Sequence, residues 1–205
     1  MELEIFSAHE YPQGENAWLE LHRGIPSAGE FRKIVTDGGA RSAQRKGYLQ
    51  RKAIEILGCE MRHGYCNGNM QYGTDQEGRA RAEYALLTGY DIGQIGFARQ
   101  GRRGGSPDGL IGADGIIEIK THASPEQFAD AVLASSDKHR AQIQGNLLIQ
   151  GRVWCDLIHR CSGLPIYCMR LYRREDYIRQ LDDEINKFNE DLDRLVERLK
   201  DRLGL

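Results

Sequence analysis

The chain has 205 residues, 40% hydrophobic and 28% charged, with a formal net charge of −2. These are the values of an ordinary globular protein long enough for a substantial core, and no apolar run approaches the length of a membrane span. The near-neutral balance argues against indiscriminate coating of DNA, although phosphate affinity depends on where the basic residues lie rather than on their total.

One domain over residues 1–205 is the simplest organisation. The start Met1-Glu2-Leu3-Glu4-Ile5 carries neither a basic segment nor a cleavage site, so a cytoplasmic address is expected. Residues 11–35 read as a loop and then a short helix that begins near Glu15-Asn16 and turns Trp18 and Leu21 inward. Gly38-Gly39 opens a polar segment in which Arg41, Arg45, Lys46, Arg51 and Lys52 concentrate; the simplest reading of that run is a solvated face. A helix is predicted over 49–57, with Ile54 and Leu57 on one face and Gly58 as its stop. The run 64–73 reads as loop and bounds a helix over 74–87, on which Ala80, Tyr84 and Leu87 form one stripe. Glu77 lies one turn before Arg81, and residue types alone predict a surface ion pair between them.

Strands are expected at 92–98, 109–111 and 116–121. Ser124-Pro125-Glu126 is a helix start, for a helix to about residue 134. Asp137 is expected to cap a second helix that reaches 148 and stops at Gly151. Strands at 153–158 and 165–171 follow, paired through 160–163. Finally Ile178, Leu181, Ile185, Phe188, Leu192, Leu195, Leu199 and Leu203 recur every three or four residues among charges. This is a long amphipathic helix of heptad character, roughly 40 Å at about 1.5 Å per residue. Packing on its own domain and a role in subunit contacts both fit it. The order of elements predicts an α/β fold, a mixed sheet flanked by helices.

The chemistry concentrates in Ser106-Pro107-Asp108-Gly109 and Ile116-Ile117-Glu118-Ile119-Lys120. Alternate strand residues share a face, so Glu118 and Lys120 project together, while Ile117 and Ile119 bury the other side. Gly112-Ala113-Asp114-Gly115 supplies a hairpin return that brings Asp108 beside Glu118. Two carboxylates held that close favour a cation between them, and Mg²⁺ or Mn²⁺ takes hard oxygen ligands of this kind. A neighbouring lysine orients or deprotonates a water and stabilises charge on a phosphate. Arg99, Arg102 and Arg103 precede the turn among Gly101, Gly104 and Gly105, a pattern that suits close approach to a phosphate chain. Cys59, Cys66, Cys155, Cys161 and Cys168 contain no C-x-x-C pair. Their odd number fits neither a zinc site with His63 or His159 nor a disulfide framework, so buried, reduced thiols are expected. No P-loop lysine follows Gly104-Gly105-Ser106.

These residues resemble the PD-(D/E)XK nucleases, and within them the lambda-type exonucleases, the YqaJ-like viral recombinase family. Four blocks carry the resemblance in order: Trp18 to Ala28; Gly73 to Arg81 with Tyr84 and Thr88-Gly89; the Asp108 and Glu118-Ile119-Lys120 motif; and Ala141 to Gly145 leading to Trp154-Cys155-Asp156. The resemblance implies a restriction-endonuclease-like core. It implies a 5′→3′ exonuclease on double-stranded DNA with 5′-phosphorylated ends, a ring-shaped homotrimer, and transfer of the 3′ overhang to a single-strand annealing protein. Asp108 and Glu118 would then bind metal, with Glu77 completing the site and the Ile119 carbonyl as a further ligand. Lys120 would position the water and Gln142 would border the site. The family arginine that grips the 5′-phosphate falls at His22, beside Arg23, and Gly29 replaces the usual serine, leaving Ser27 as the nearest hydroxyl. A structure-specific or restriction-like endonuclease on the same fold, and a non-catalytic DNA-binding module, are the alternatives.

Overall fold

A computed structural model describes residues 2–59, 68–134 and 138–205, with residues 68–75 by their backbone alone. Two sheets form. Strands β1 (Leu3–Ser7), β3 (Ile95–Gln100) and β4 (Gly104–Gly105) make a small antiparallel sheet in the order β1-β3-β4. The larger sheet runs β2 (Ile92–Gly93), β5 (Gly109–Ile111), β6 (Gly115–His122), β7 (Trp154–Cys161), β8 (Tyr167–Tyr172). It is mixed, because β6 and β7 pair in parallel while the other neighbours are antiparallel. A parallel pair cannot be joined by a tight turn. The connection is therefore made by helices α4 (Pro125–Leu133) and α5 (Arg140–Gln150).

The helices preceding this unit are α1 (Asn16–Leu21), a short 3-10 helix at Ala28–Lys33, α2 (Arg45–Ile56) and α3 (Gly68–Thr88); α6 (Glu175–Leu203) closes the chain. Ala80 and Tyr84 of α3 cover one face of the large sheet, against Ile117, Ile119 and Ile158. Ile143 and Leu147 of α5 cover the other, against Ile116, Cys155 and Leu157. The central strand β6 is thus buried on both sides, which places Glu118 in the interior at 2% exposure. Burial was expected only for the face of Ile117 and Ile119; the face of Glu118 is covered as well. The hairpin itself forms as predicted, except that Gly112 takes the left-handed position (φ 49°) and Gly115 already belongs to β6.

Helix α6 packs on its own chain. Tyr177, Leu181, Ile185, Phe188, Leu192 and Val196 join Phe31, Ile34, Val35, Tyr48 and Ala53 in one cluster. Towards its end the buried stripe moves from Leu195 to Val196, because 3.6 residues per turn drift from a strict heptad, and Leu203 is exposed. Its acidic side is held by arginines from elsewhere: Arg41 on Glu184, Arg45 on Asp191, Arg102 on Asp193 and Arg103 on Asp182. Arg103 is only 5% exposed and also donates to Gln100. Arg102, expected at a phosphate chain, thus holds Asp193 through both Nη atoms, and Arg103 is shared between Asp182 of α6 and Gln100 of β3. Arg99 pairs with Glu4 across β1 and β3. The glycines beside them serve packing: a Cβ on Gly104 would meet the Phe97 ring at 2.0 Å, and one on Gly105 would meet Asn146 Oδ1 at 2.3 Å.

Other boundaries moved for similar reasons. The segment 68–73 is helix rather than loop, and α2 begins a turn earlier than predicted. Ile54 and Leu87 are exposed, while Tyr48, Lys52 and Ala53 form the inner face of α2. Leu19 is the buried residue of α1. The 92–98 strand is broken between β2 and β3, and β1 and the 3-10 helix had not been expected. Cys155 and Cys161 are buried but Cys59 and Cys168 are exposed. Cys66, His63 and Asp137 lie outside the described residues; α5 starts behind His139, which holds a left-handed conformation (φ 70°). No helix among the described residues is long and apolar enough to cross a membrane.

Leu181→Ala is expected to lower the stability measured by urea unfolding by about 2–5 kcal/mol. Leu203→Ala, on the same stripe beyond the core, should change it by less than about 0.5 kcal/mol.

Candidate active site

The site begins with the register of the β5–β6 hairpin. Gly109 lies opposite Ile117, so Asp108 falls just beyond the end of β5, beside Glu118. Its N–H donates to Ile117 O at 3.1 Å and its Oδ2 accepts from the Ile119 N–H at 2.5 Å. The N–H and C=O of a strand residue point to the same edge. The Ile119 carbonyl therefore also opens towards the Asp108 side, where β5 has ended.

Glu118 and Lys120 project from β6 towards α5, and Gln142 on that helix ties them together. Glu118 Oε1 accepts from Lys120 Nζ at 2.7 Å and from Gln142 Nε2 at 2.6 Å, while Gln142 Oε1 accepts from Lys120 at 3.2 Å. The second oxygen, Glu118 Oε2, is buried without a hydrogen-bond partner. From α3, Glu77 pairs with Arg81 as the residue types predict, and Arg81 Nε donates to the main-chain oxygen of Asp108 at 2.8 Å. Arg81 was thus missed as a neighbour of the site; its sequence signals were the four-residue spacing from Glu77 and its place at the end of the Gly73 to Arg81 block.

The electrostatics follow from placing three carboxylates in a shielded space. Burial, then the charges of Glu118 and Glu77, hold the Asp108 carboxyl well above its usual range. Glu77 is raised by burial and by Glu118, against the pull of Arg81. For Lys120, burial favours the neutral amine, but Glu118 and Asp108 outweigh it and the ammonium form prevails. In that form Lys120 donates hydrogen bonds to Glu118 and Gln142.

The donor set fits a divalent cation. It contains hard oxygens only, one of them a buried carboxylate oxygen with no partner, and its carboxylates exceed the counter-charge that Lys120 supplies. Among the described residues, no three His, Cys, Asp or Glu side chains already converge as a complete ligand group.

The residues expected to hold a terminal phosphate are placed differently. His22 caps α1 with its ring 3.8 Å from Trp18 and 4.1 Å from Phe97, between centroids. Its Nδ1 donates to Trp18 O at 2.8 Å. Burial pushes its pKa down to about 4, so at neutral pH its one N–H is already used. Arg23 holds Glu20 through both Nε and Nη2 and donates Nη1 to the carbonyls of Glu55 and Cys59. Ser27 precedes the 3-10 helix, with its N–H on the Tyr48 hydroxyl and no cap made by its side chain. Trp18 Nε1 and Ser106 Oγ both donate to Gly96 O, at 2.9 and 2.7 Å, locking this corner to the small sheet. Sequence reasoning weighed His159 only as a zinc ligand beside the cysteines, and His122 and His139 not at all. His122 Nε2 and His159 Nδ1 share a 3.0 Å hydrogen bond, and burial lowers His159 to about 4 and His139 to about 3. Lone histidines carry no spacing signal that would have found them.

The family profile of the YqaJ-like viral recombinase domain matches residues 17–153. A search of curated proteins gives no match. Among solved structures, an alkaline exonuclease (LHK-Exo) from Laribacter hongkongensis is similar at a TM-score of 0.82 and 26% identity, over 93% of this chain and 98% of that one. The structure of LHK-Exo in complex with dAMP gives the same values. A phage related exonuclease from Haemophilus somnus 129PT shares the fold, at a TM-score of 0.69 and 13% identity over 88% of this chain and 99% of its own.

The His22 environment makes a pH prediction. Its folded pKa, about 4, lies below the ordinary 6.5, so between these values the unfolded chain binds more protons. Its contribution is complete above pH 6.5 and declines as pH falls towards 4. His22→Asn should flatten the stability–pH slope in that window by up to about 1.4 kcal/mol per pH unit, read from urea midpoints across the window.

Proposed function

Because the chain belongs to the YqaJ-like viral recombinase domain family, we propose that it is a metal-dependent exonuclease degrading the 5′-ended strand of linear double-stranded DNA. The observation that carries this reading is the Glu118 carboxylate. It is buried at 2% exposure, anchored through Oε1 by Lys120 and Gln142, and left with Oε2 unpartnered, while its charge acts on Asp108. An unpaired buried carboxylate oxygen is costly, and a site that binds a cation removes that cost.

Asp108, Glu118 and Glu77, with the Ile119 carbonyl, are the residues that would hold Mg²⁺ or Mn²⁺. A bound ion supplies Lewis-acid stabilisation of the scissile phosphate and an activated water. The chain's own part is positioning. The Ile119 N–H fixes Oδ2 of Asp108, so the carboxylate enters the site from one direction only. Gln142 holds Glu118 and Lys120 in a closed triangle, which keeps the ammonium beside the carboxylate and leaves one N–H for a water or phosphate oxygen. Such preorganised donors are most effective where water is excluded.

Recognition of the 5′-phosphate by Arg23 would require its fork to leave Glu20, and His22 would act as a stacking surface with Trp18 rather than as a cation. The trimeric ring and the annealing partner belong to the same proposal and rest on family membership alone.

The test uses linear duplex DNA labelled at one 5′ or one 3′ end, with Mg²⁺ or EDTA, beside a closed circle. Release of nucleotides from 5′ ends only, an intact circle and silence in EDTA are expected. A nicked circle would move the assignment to an endonuclease, and absence of cleavage with Mg²⁺ and Mn²⁺ would reduce it to a DNA-binding module. Asp108→Asn and Lys120→Gln should each lower kcat by about 100-fold or more, while DNA binding without metal persists.

A further inference from the structure

We propose that Arg81 is a positioning residue of the acidic turn, acting through Asp108 and Glu77; the inference rests on the nuclease reading above. Arg81 lies on α3 one turn beyond Glu77, with 16% of its side chain exposed. Its guanidinium meets three separate segments. Nη2 pairs with Glu77 Oε1 on the same helix. Nε donates to the Asp108 main-chain oxygen at 2.8 Å. Gln94, in the break between β2 and β3, accepts from Nη1 at 2.5 Å with its amide oxygen turned towards the guanidinium.

The consequence for Asp108 is geometric. Its N–H is held by Ile117 O, its Oδ2 by the Ile119 N–H and its carbonyl by Arg81. The first two bonds come from the partner strand β6, and only the third comes from the helix side. Without it the Asp108 carbonyl loses its hold on the helix side, and the carboxylate is positioned by β6 alone. A shift of about 1 Å at such a place is sufficient to cost two orders of magnitude in rate.

The consequence for Glu77 is electrostatic. Glu77, Asp108 and Glu118 are mutually destabilising. Lys120 is engaged by Glu118 and Gln142, so Arg81 is the countercharge on the Glu77 side. It takes only Oε1 of Glu77. An exposed i,i+4 pair would matter little, but this one is largely buried and its cation also holds the backbone of the turn. A guanidinium spreads its donors over a rigid planar fork; a lysine carries its three on a single nitrogen and lacks that fixed reach.

Arg81→Gln and Arg81→Lys in the full chain test this. The measurements are thermal unfolding, Mn²⁺ binding by calorimetry without DNA, and kcat and KM on linear duplex. For Arg81→Gln, kcat is expected to fall at least about tenfold, with KM within about threefold. Mn²⁺ affinity should stay equal or rise, because a positive charge has left the ligand cluster. Arg81→Lys should recover part of the lost kcat. A kcat for Arg81→Gln within about threefold of wild type overturns the inference. So does a loss that merely tracks the unfolded fraction, and so does Mn²⁺ affinity that falls in step with kcat. A wild type that neither binds Mn²⁺ nor cleaves DNA overturns the nuclease reading, and this inference with it.

Discussion

Burying the carboxylate of Glu118 is the constraint to which the rest of the structure answers. A strand covered on both faces has no room for hydration, and β6 is covered by α3 on one side and α5 on the other. An ionised group there needs donors supplied by the protein. Lys120 from the same strand and Gln142 from the crossover helix provide them on one oxygen. The other oxygen and the neighbouring Asp108 are the unanswered part of the demand. The site's chemistry is thus the residue of an incomplete neutralisation.

Around that strand the remaining elements act as supports. The fork of Arg81 joins α3 to the turn. On the same sheet face Asp156 is buried at 3% exposure. It accepts from the Tyr84 hydroxyl and from both Nε and Nη2 of Arg170, and Arg170 lies 3.7 Å from the centroid of the Trp154 ring. The Trp154-Cys155-Asp156 block therefore pins β7 and β8 to α3. Helix α6 holds the 3-10 segment and α2 through its apolar stripe, and the two arginine clusters through its acidic side.

Local signals made much of this legible. Gly112 to Gly115 announced the hairpin, Ser124 the start of α4, where its Oγ accepts from Gln127 N, and Gly151 the end of α5, where it is left-handed. Those features depend on a few adjacent residues. The hairpin alone brings Asp108, Glu118 and Lys120 together, whereas Gln142 came only from resemblance, since a mid-helix glutamine looks like any surface residue. Burial of Glu118 was not legible, because alternation describes one face and is silent about what a distant helix lays on the other. The acidic partners of Arg102 and Arg103 were not legible for a related reason. A run of positive charge reads the same whether it faces a phosphate chain or the carboxylates of a helix some eighty residues later.

The parallel pairing of β6 with β7 also divides the contacts of the site by range. The β5–β6 hairpin that gathers Asp108, Glu118 and Lys120 is local, whereas Gln142 and the cover of Ile143 and Leu147 belong to the α4–α5 crossover, whose closure costs more loop entropy. The contacts that gather the charges are thus short-range, and those that exclude water from them are long-range.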